Sequence, residues 1–426
     1  MNTLLVIFWG VVILSVTVFV HEGGHFLAAR ACKVRVSEFM IGLPGPSIGF
    51  VHKGCRFGVT AVPLGGYARI AGMETTDEPE LLADALAYVY RHGSTDVRNL
   101  AFALNVDEAE ATDLLFMLSS WASVTTPKGT PTGEVYLAPA DGVYSKGQPR
   151  PVSDPRALLD EQRTGTYRGL PCWKRLCILF AGPLANVLFA VVIVVVLLSA
   201  HGVYEPTTTL ADVVSDSPAA TAGLQAGDTI TRIDDLQISS WDDIGSALAD
   251  KQAGDSIAVA YMRDGAPHEA RMQLYENDGR VQMGIYAGTE LVRMSVAQAI
   301  GTSGEYTWRM VEAVGQLLNP STAKNTLDQS TSVIGIAYET KAAADRGALS
   351  LLMIAVAISL SLGVMNLLPI PPLDGGKIVI EIGQKISRRN LPERANAYLS
   401  YAGIILFVVL FVYLTFQDIG RYVIGG

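Results

Sequence analysis

The sequence predicts a polytopic α-helical membrane protein carrying soluble modules, and three observations predict it. Half of the 426 residues are hydrophobic and only 17% are charged, too apolar a balance for an ordinary cytosolic enzyme. Apolar runs at residues 4–20, 176–200, 348 to about 369, and 398–416 each have the length of a straight or tilted membrane helix. Basic residues mark the ends of these runs. Arg30, Lys33 and Arg35 follow the first, and Arg168, Lys174 and Arg175 precede the second. Lys377, Lys385, Arg388, Arg389 and Arg394 lie between the third and fourth. The positive-inside rule puts both of these connections in the cytosol, and both termini and the long second connection outside.

Residues 1–74 hold the first helix and, at its end, His21-Glu22-Gly23-Gly24-His25. Histidines four residues apart share one helix face and can hold one zinc ion, while the glutamate between them can take a proton from an attacking water. Ionisable groups at membrane depth cost roughly 2.5–3.5 kcal/mol each for the worst residues on insertion scales. A His-Glu-His cluster there calls for a bound metal. A signal peptide does not fit, because no Lys or Arg precedes the run and no convincing small-residue cleavage site follows. Gly23 and Gly24 either leave room for substrate or serve helix packing. Beyond the helix, strand-like stretches at 56–62 and 67–70 flank Pro63-Leu64-Gly65-Gly66 and predict a hairpin.

Residues 75–164 turn helical and acidic. Helices are expected at 80–91, 95–104 and 108–121, with Asn105-Val106-Asp107 as turn and N-cap. Leu100, Leu104, Ala111, Leu114, Leu115 and Leu118 give apolar faces at helical spacing. With a further hairpin around 134–137, this segment resembles a winged-helix domain. Such domains often bind DNA, but Asp96, Asp107, Glu108, Glu110 and Asp113 face Arg98 alone, and phosphate binding needs a basic face. The net charge of −9 agrees. A cytosolic protein-docking or regulatory insertion, with no nucleic-acid partner, is the expectation, and an inert insertion the alternative.

Residues 165–203 form the second membrane helix. Residues 204–290 read as a compact mixed module, with strands at 229–233 and 256–263 around a helix at 240–249. Within 291–347, a helix at 294–318 shows an apolar face of Val296, Ile300, Trp308, Val311, Val314 and Leu318, suited to a membrane surface or to packing on the module. Residues 348–426 hold the third and fourth membrane helices. Cys32, Cys55, Cys172 and Cys177 make no paired Cys-x-x-Cys pattern and read as reduced cytosolic thiols.

Two histidines leave zinc short of a third protein ligand. In Asn366-Leu367-Leu368-Pro369-Ile370-Pro371-Pro372-Leu373-Asp374-Gly375-Gly376 the prolines break the third helix and an acid follows. Lipid does not tolerate exposed irregular backbone, so this turn is buried in protein or lines a wet cavity, level with His21 and His25. Asp374 is the candidate third ligand.

These residues together resemble the site-2 protease family of intramembrane zinc metalloproteases, in its bacterial regulator-of-sigma-E branch. His21 to His25 match the zinc motif and Leu373-Asp374-Gly375 the second motif. Leu179-Phe180-Ala181-Gly182-Pro183-Leu184-Ala185-Asn186 matches the opening of the second core helix. Residues 63–73 match a membrane-dipping hairpin, and 217–230 match a PDZ module. Only 75–164 falls outside the likeness. It departs at Thr331-Ser332-Val333-Ile334-Gly335-Ile336, where the family usually has Gly-Pro.

The resemblance implies that His21, His25 and Asp374 hold zinc and that Glu22 is the general base. It implies that Asn366 holds substrate backbone, that Pro369 and Pro371 shape the turn, and that Asn186, Gly65 and Gly66 help present substrate. The expected substrate is a pre-shortened single-span protein in the bilayer of the bacterial inner membrane, such as an anti-sigma factor or a remnant signal peptide. The PDZ module is expected outside the cytosol. A catalytically silent PDZ-containing scaffold is the alternative, disfavoured by the intact Glu22 and Asp374. A zinc transporter is weaker, since no second ionisable relay is visible.

Overall fold

A computed structural model describes residues 3–62, 64–73, 78–127, 135–277, 280–389 and 391–424. The chain divides into two compact units, one of residues 1–194 with 302–426 and one of residues 195–301. Among the described residues, four helices are long and apolar enough to cross a membrane: Ile7–Ala31, Cys172–His201, Ala348–Met365 and Ala395–Tyr422. They coincide with the four apolar runs of the sequence.

The first helix, α1 (Thr3–Ala31), does not stop with its apolar run at Val20 but continues through the His-Glu-His motif. No proline interrupts it. It ends at Cys32 and Lys33, where Lys33 takes a left-handed φ of 64°. Four strands follow: β1 (Val36–Ile41), β2 (Ser47–His52), β3 (Cys55–Thr60) and β4 (Gly66–Ile70). Their order in the sheet is β2-β3-β1-β4.

The sequence-predicted hairpin of 56–62 with 67–70 does not form. β1 lies between the two strands, parallel to β3 and antiparallel to β4. The local hairpin is instead β2–β3, turning through Lys53 and Gly54 at φ 47° and 78°, the two positive values of a tight type I′ turn. That two-residue turn pairs β2 with β3 at once and leaves the other edge of β3 to β1. Pro63, in the predicted turn, lies outside the described residues. Phe39 of β1 packs on Phe19 and Phe26 of α1 at 5.0 and 4.9 Å between ring centres, fixing the sheet to the helix that carries the motif.

The segment that follows β4 folds around its own core. Helices α2 (Leu82–His92), α3 (Val97–Leu104) and α4 (Glu108–Ser120) bury Leu82, Leu86, Leu100, Leu114, Leu115 and Leu118. Asp96 and Asp107 cap α3 and α4 by accepting from the backbone N–H groups of Asn99 and Glu110, caps worth about 1 kcal/mol each. Strand β5 (Ser94–Thr95) pairs with β6 (Tyr136–Leu137), and Thr125 bridges Leu137. Glu134, at the start of the expected hairpin, lies outside the described residues. Helix α5 (Pro155–Thr164) packs on α2 and leads to α6 (Cys172–Val196).

The second unit is a six-stranded sheet with short helices. Its elements are β7 (Val203–Val213), α7 (Pro218–Thr221), β8 (Thr229–Ile233), β9 (Leu236–Gln237), α8 (Trp241–Leu248), β10 (Ser256–Arg263), β11 (Ala266–Gln273), β12 (Tyr275–Asn277), β13 (Arg280–Gln282) and β14 (Ile285–Val292). The main sheet runs β11-β10-β8-β7-β14, with β9 beside β8. Ser240 and Asp243 form the reciprocal capping box of α8. Asp228 is buried, and it accepts from the Arg263 guanidinium through both oxygens at 2.7 Å and from Gln225 N–H. Burial alone would raise its carboxyl, but these donors hold it below the usual carboxylate range.

Beyond it come α9 (Val296–Leu317), α10 (Ala323–Gln329), α11 (Val333–Arg346), α12 (Ala348–Met365), α13 (Asp374–Ser387) and α14 (Glu393–Asp418). The expected apolar face of α9 divides. Val314 is buried against Val364 and Leu368, while Val296, Ile300, Trp308, Val311 and Leu318 are exposed. Helix α11, which the sequence reading did not separate out, packs on α1, α12 and α14. The Thr331–Ile336 departure has a structural answer. Ser332 is the N-cap of α11, and the fully buried Asp418 of α14 accepts from Ser332 N–H, Ser332 Oγ and Gly335 N–H at 2.6, 2.6 and 3.1 Å. A carboxylate from another helix thus satisfies the helix N-terminus.

Candidate metal centre

Three side chains from the two ends of the chain meet at one point. His21 and His25 lie one turn apart on α1, and Asp374 is the first residue of α13. Asp374 Oδ2 is 3.1 Å from His21 Nε2 and 3.1 Å from His25 Nε2, and the two nitrogens are 3.3 Å apart. Tetrahedral zinc with bonds of about 2.0–2.1 Å needs ligand atoms roughly 3.3 Å apart. All three residues are buried. Among the described residues this is the one cluster of three His, Cys, Asp or Glu ligand atoms lying within 4.8 Å of one another.

The supporting contacts bear on which ring nitrogen of each histidine carries its proton. His25 Nδ1 is 2.7 Å from the Ile178 carbonyl, which only accepts, so Nδ1 carries the proton and Nε2 presents a lone pair. Behind His21, the fully buried Asn186 carboxamide lies 3.4 Å from Nδ1, and its Oδ1 is without a partner as placed. The two ends of a carboxamide have the same shape. Turning it puts Oδ1 on a protonated His21 Nδ1, satisfies the orphaned oxygen and frees His21 Nε2 for a metal. Ser359 of α12 donates to the Asn186 carbonyl at 2.9 Å, fixing α6 from its far side.

Small residues let the helices come this close. A Cβ on Gly24 would collide with the Ala181 carbonyl, and one on Gly182 with the His25 ring. Gly24 is therefore a packing residue, whereas Gly23 meets only the edge of Phe39 at 4.0 Å. A Cβ on Gly375 would strike the Leu367 carbonyl, which is how the turn after α12 folds back over the start of α13. Gly375 N–H donates to the Asn366 carbonyl at 2.7 Å. Further along α13 the buried Glu381 meets Arg175 at 3.2 Å, Arg168 at 4.0 Å and the Tyr167 hydroxyl at 3.4 Å. That contact ties the helix carrying Asp374 to the approach to α6.

A cavity of about 270 Å³ opens beside His21, His25 and Asp374. Glu22, Asn366 and Lys377 line it, with Ala68 and Ile70 on one side and Pro372 and Leu373 on another. Glu22 Oε2 accepts from Ala68 N–H at 3.1 Å, so that edge of β4 faces the site. Asn366 donates its amide to Leu362 O and shows its remaining surface to the cavity. Pro371 packs on α14, and Pro369 is exposed. Gly65 and Gly66 are outside the lining; Ala68 and Ile70 of the same strand are inside it. Strand alternation from Gly66 would have found both. Lys377, 3.8 Å from Asp374 Oδ1, was legible as the i+3 neighbour of Asp374.

The profile of peptidase family M50 matches residues 9–410. The chain is 28% identical to the metalloprotease MmpA of Caulobacter vibrioides over 96% of this chain and 94% of that one. It is 26% identical to a protein of Mesorhizobium japonicum whose name infers a zinc metalloprotease, over 96% of each chain. A Staphylococcus aureus protein with the same inferred name is 27% identical over 99% of this chain and 100% of its own. Among solved structures, the PDZ domain of an SdrC-like protein from Listeria monocytogenes is 28% identical, covering 20% of this chain and 90% of its own, with a TM-score of 0.18.

His21→Ala and His25→Ala should each lose the metal, and Asp374→Asn should hold it weakly. Asn186→Ala should cost about 10–100-fold in zinc affinity, the usual effect of removing a partner behind a ligand. Elemental analysis and chelator competition on purified protein check this, and wild-type affinity in Asn186→Ala would refute its role.

Proposed function

This chain belongs to peptidase family M50, the site-2 protease family of zinc metalloproteases, and we propose that it hydrolyses peptide bonds inside membrane spans. The observation that carries this reading is the convergence of His21, His25 and Asp374 beside Glu22 on a helix apolar enough to span. When bound, zinc polarises the scissile carbonyl and acidifies the attacking water. His21 Nε2, His25 Nε2 and Asp374 Oδ2 would hold it. Glu22, with Oε2 anchored by Ala68 N–H, keeps Oε1 to accept the proton from that water and pass it to the leaving nitrogen. Asn366 and Lys377 offer donors to the substrate backbone. An unwound span needs backbone partners, because lipid supplies none, and the outer edge of β4, beyond the Ala68 N–H that anchors Glu22, offers them by strand addition.

Substrates on this reading are single-span proteins already shortened by another protease, such as an anti-sigma factor or a remnant signal peptide. The β2–β3 hairpin favours a membrane-dipping role, since Ile48, Phe50 and Val51 are exposed apolar side chains. Exposed Val296, Ile300 and Trp308 favour a membrane-surface position for α9. The strand and helix order of the second unit supports a PDZ module, which we assign to the extracytoplasmic side with both termini. The order α2-β5-α3-α4-β6 supports a winged-helix-like cytosolic insertion, and its acidic helices favour a protein partner over nucleic acid.

Glu22→Gln should keep its zinc and lose turnover by about 10²–10⁴-fold, because the amide has the shape but not the basicity. Near-normal cleavage of a single-span substrate by this variant would overturn Glu22 as the base, whereas a zinc-loaded wild type that cuts nothing would favour a scaffold. Trypsin added outside intact spheroplasts should cut within 203–292 and spare 78–166. The reverse pattern would invert the topology, and salt-sensitive DNA retardation by the 78–166 fragment would overturn its assignment.

A further inference from the structure

We propose that the apolar groove between α14 and the Pro372–Leu373 turn is the subsite for a bulky apolar side chain next to the scissile bond. The protein would then prefer spans with a large aliphatic or aromatic residue there. The inference rests on the peptidase reading above and deepens it to a substrate preference.

The groove holds about 400 Å³ and is lined by Pro372, Leu373, Ile404, Phe407, Val408 and Phe411. The cavity beside the metal ligands shares two of these residues, Pro372 and Leu373. One turn of chain therefore forms a wall of both spaces. The four α14 residues stand at i, i+3, i+4 and i+7, a single helix face aimed at that turn. Ile404, Val408 and Phe411 are all exposed there, and among the described residues no polar side chain lines the groove.

The groove is held open by contacts at its two ends. A Cβ on Gly403 would collide with the Pro371 carbonyl, so α14 touches the turn one residue before the groove begins. At the other end Asp418 is fixed by Ser332 and Gly335. Between these points the groove separates α14 from the turn, and among the described residues nothing fills it. A scissile carbonyl delivered to His21, His25 and Asp374 brings its neighbouring side chains against Leu373. The groove lies immediately past Leu373, and its lining rejects charge and rewards apolar volume.

The test uses full-length protein in nanodiscs and a single-span substrate whose scissile bond is first mapped by mass spectrometry. Leu, Phe and Ala are then compared at each flanking position. Val408→Trp fills the groove and should lower the Leu-over-Ala ratio of kcat/KM about tenfold or more, whereas Phe411→Ala should raise the Phe-over-Leu ratio. Zinc content checks that each variant is folded. Unchanged ratios in both variants would mean a lipid-filled groove and overturn the subsite. So would equal loss on every substrate with zinc retained, which would mean that α14 serves only to hold the turn. A zinc-loaded wild type that cuts none of the substrates refutes the peptidase reading and the subsite with it.

Discussion

Three buried lone pairs aimed at one point are the constraint on which the structure depends. His21 Nε2, His25 Nε2 and Asp374 Oδ2 crowd within 3.3 Å of one another among apolar helices. Without a cation, two facing imidazoles and a carboxylate share too few protons to satisfy every group, and an unpaired buried charge costs several kcal/mol. With a divalent cation the same atoms become a complete set of protein ligands, leaving one position open. The arrangement is thus explained by the metal that the family binds, and hard to explain otherwise.

Holding that point fixed determines the helix packing. Lipid gives helices no hydrophobic reason to associate, so the bundle relies on close approach and on buried polar contacts. Gly24 on Ala181, Gly182 under His25 and Gly375 under Leu367 supply the approach. Asn186 behind His21, Ile178 behind His25, and Glu381 with Arg175 supply the polar contacts. Ile178, Asn186 and Arg175 all lie on α6, so that one helix braces both α1 and α13. The sheet contributes through Phe39, which locks it to α1 and sets Ala68 against Glu22.

Much of this was legible in the sequence, for a physical reason. Membrane helices declare themselves by length and hydropathy, and the motif by a spacing that one helix face imposes. Asp107 and Ser240 could be read as helix starts because capping is local chemistry, whereas the cap at Asp96 fell inside the helix expected at 95–104. What could not be read was pairing at a distance. Nothing in 56–70 reveals that β1 separates β3 from β4, although Lys53-Gly54 was a sign of the true hairpin. The same holds for Asp418, whose partner Ser332 is 86 residues away, and for the site's opposing wall at Ala68 and Ile70. Asn186 was read as a substrate contact, yet it lies fully buried against His21.

The central claim is that this centre hydrolyses a peptide bond within a membrane span. The most direct measurement is the intact mass of both products after purified zinc-loaded protein acts on a single-span substrate in lipid vesicles. The account predicts two fragments whose masses sum to the substrate plus one water, with the new termini inside the span. Fragments that begin or end in the flanking soluble segments, with the span uncut, would contradict it.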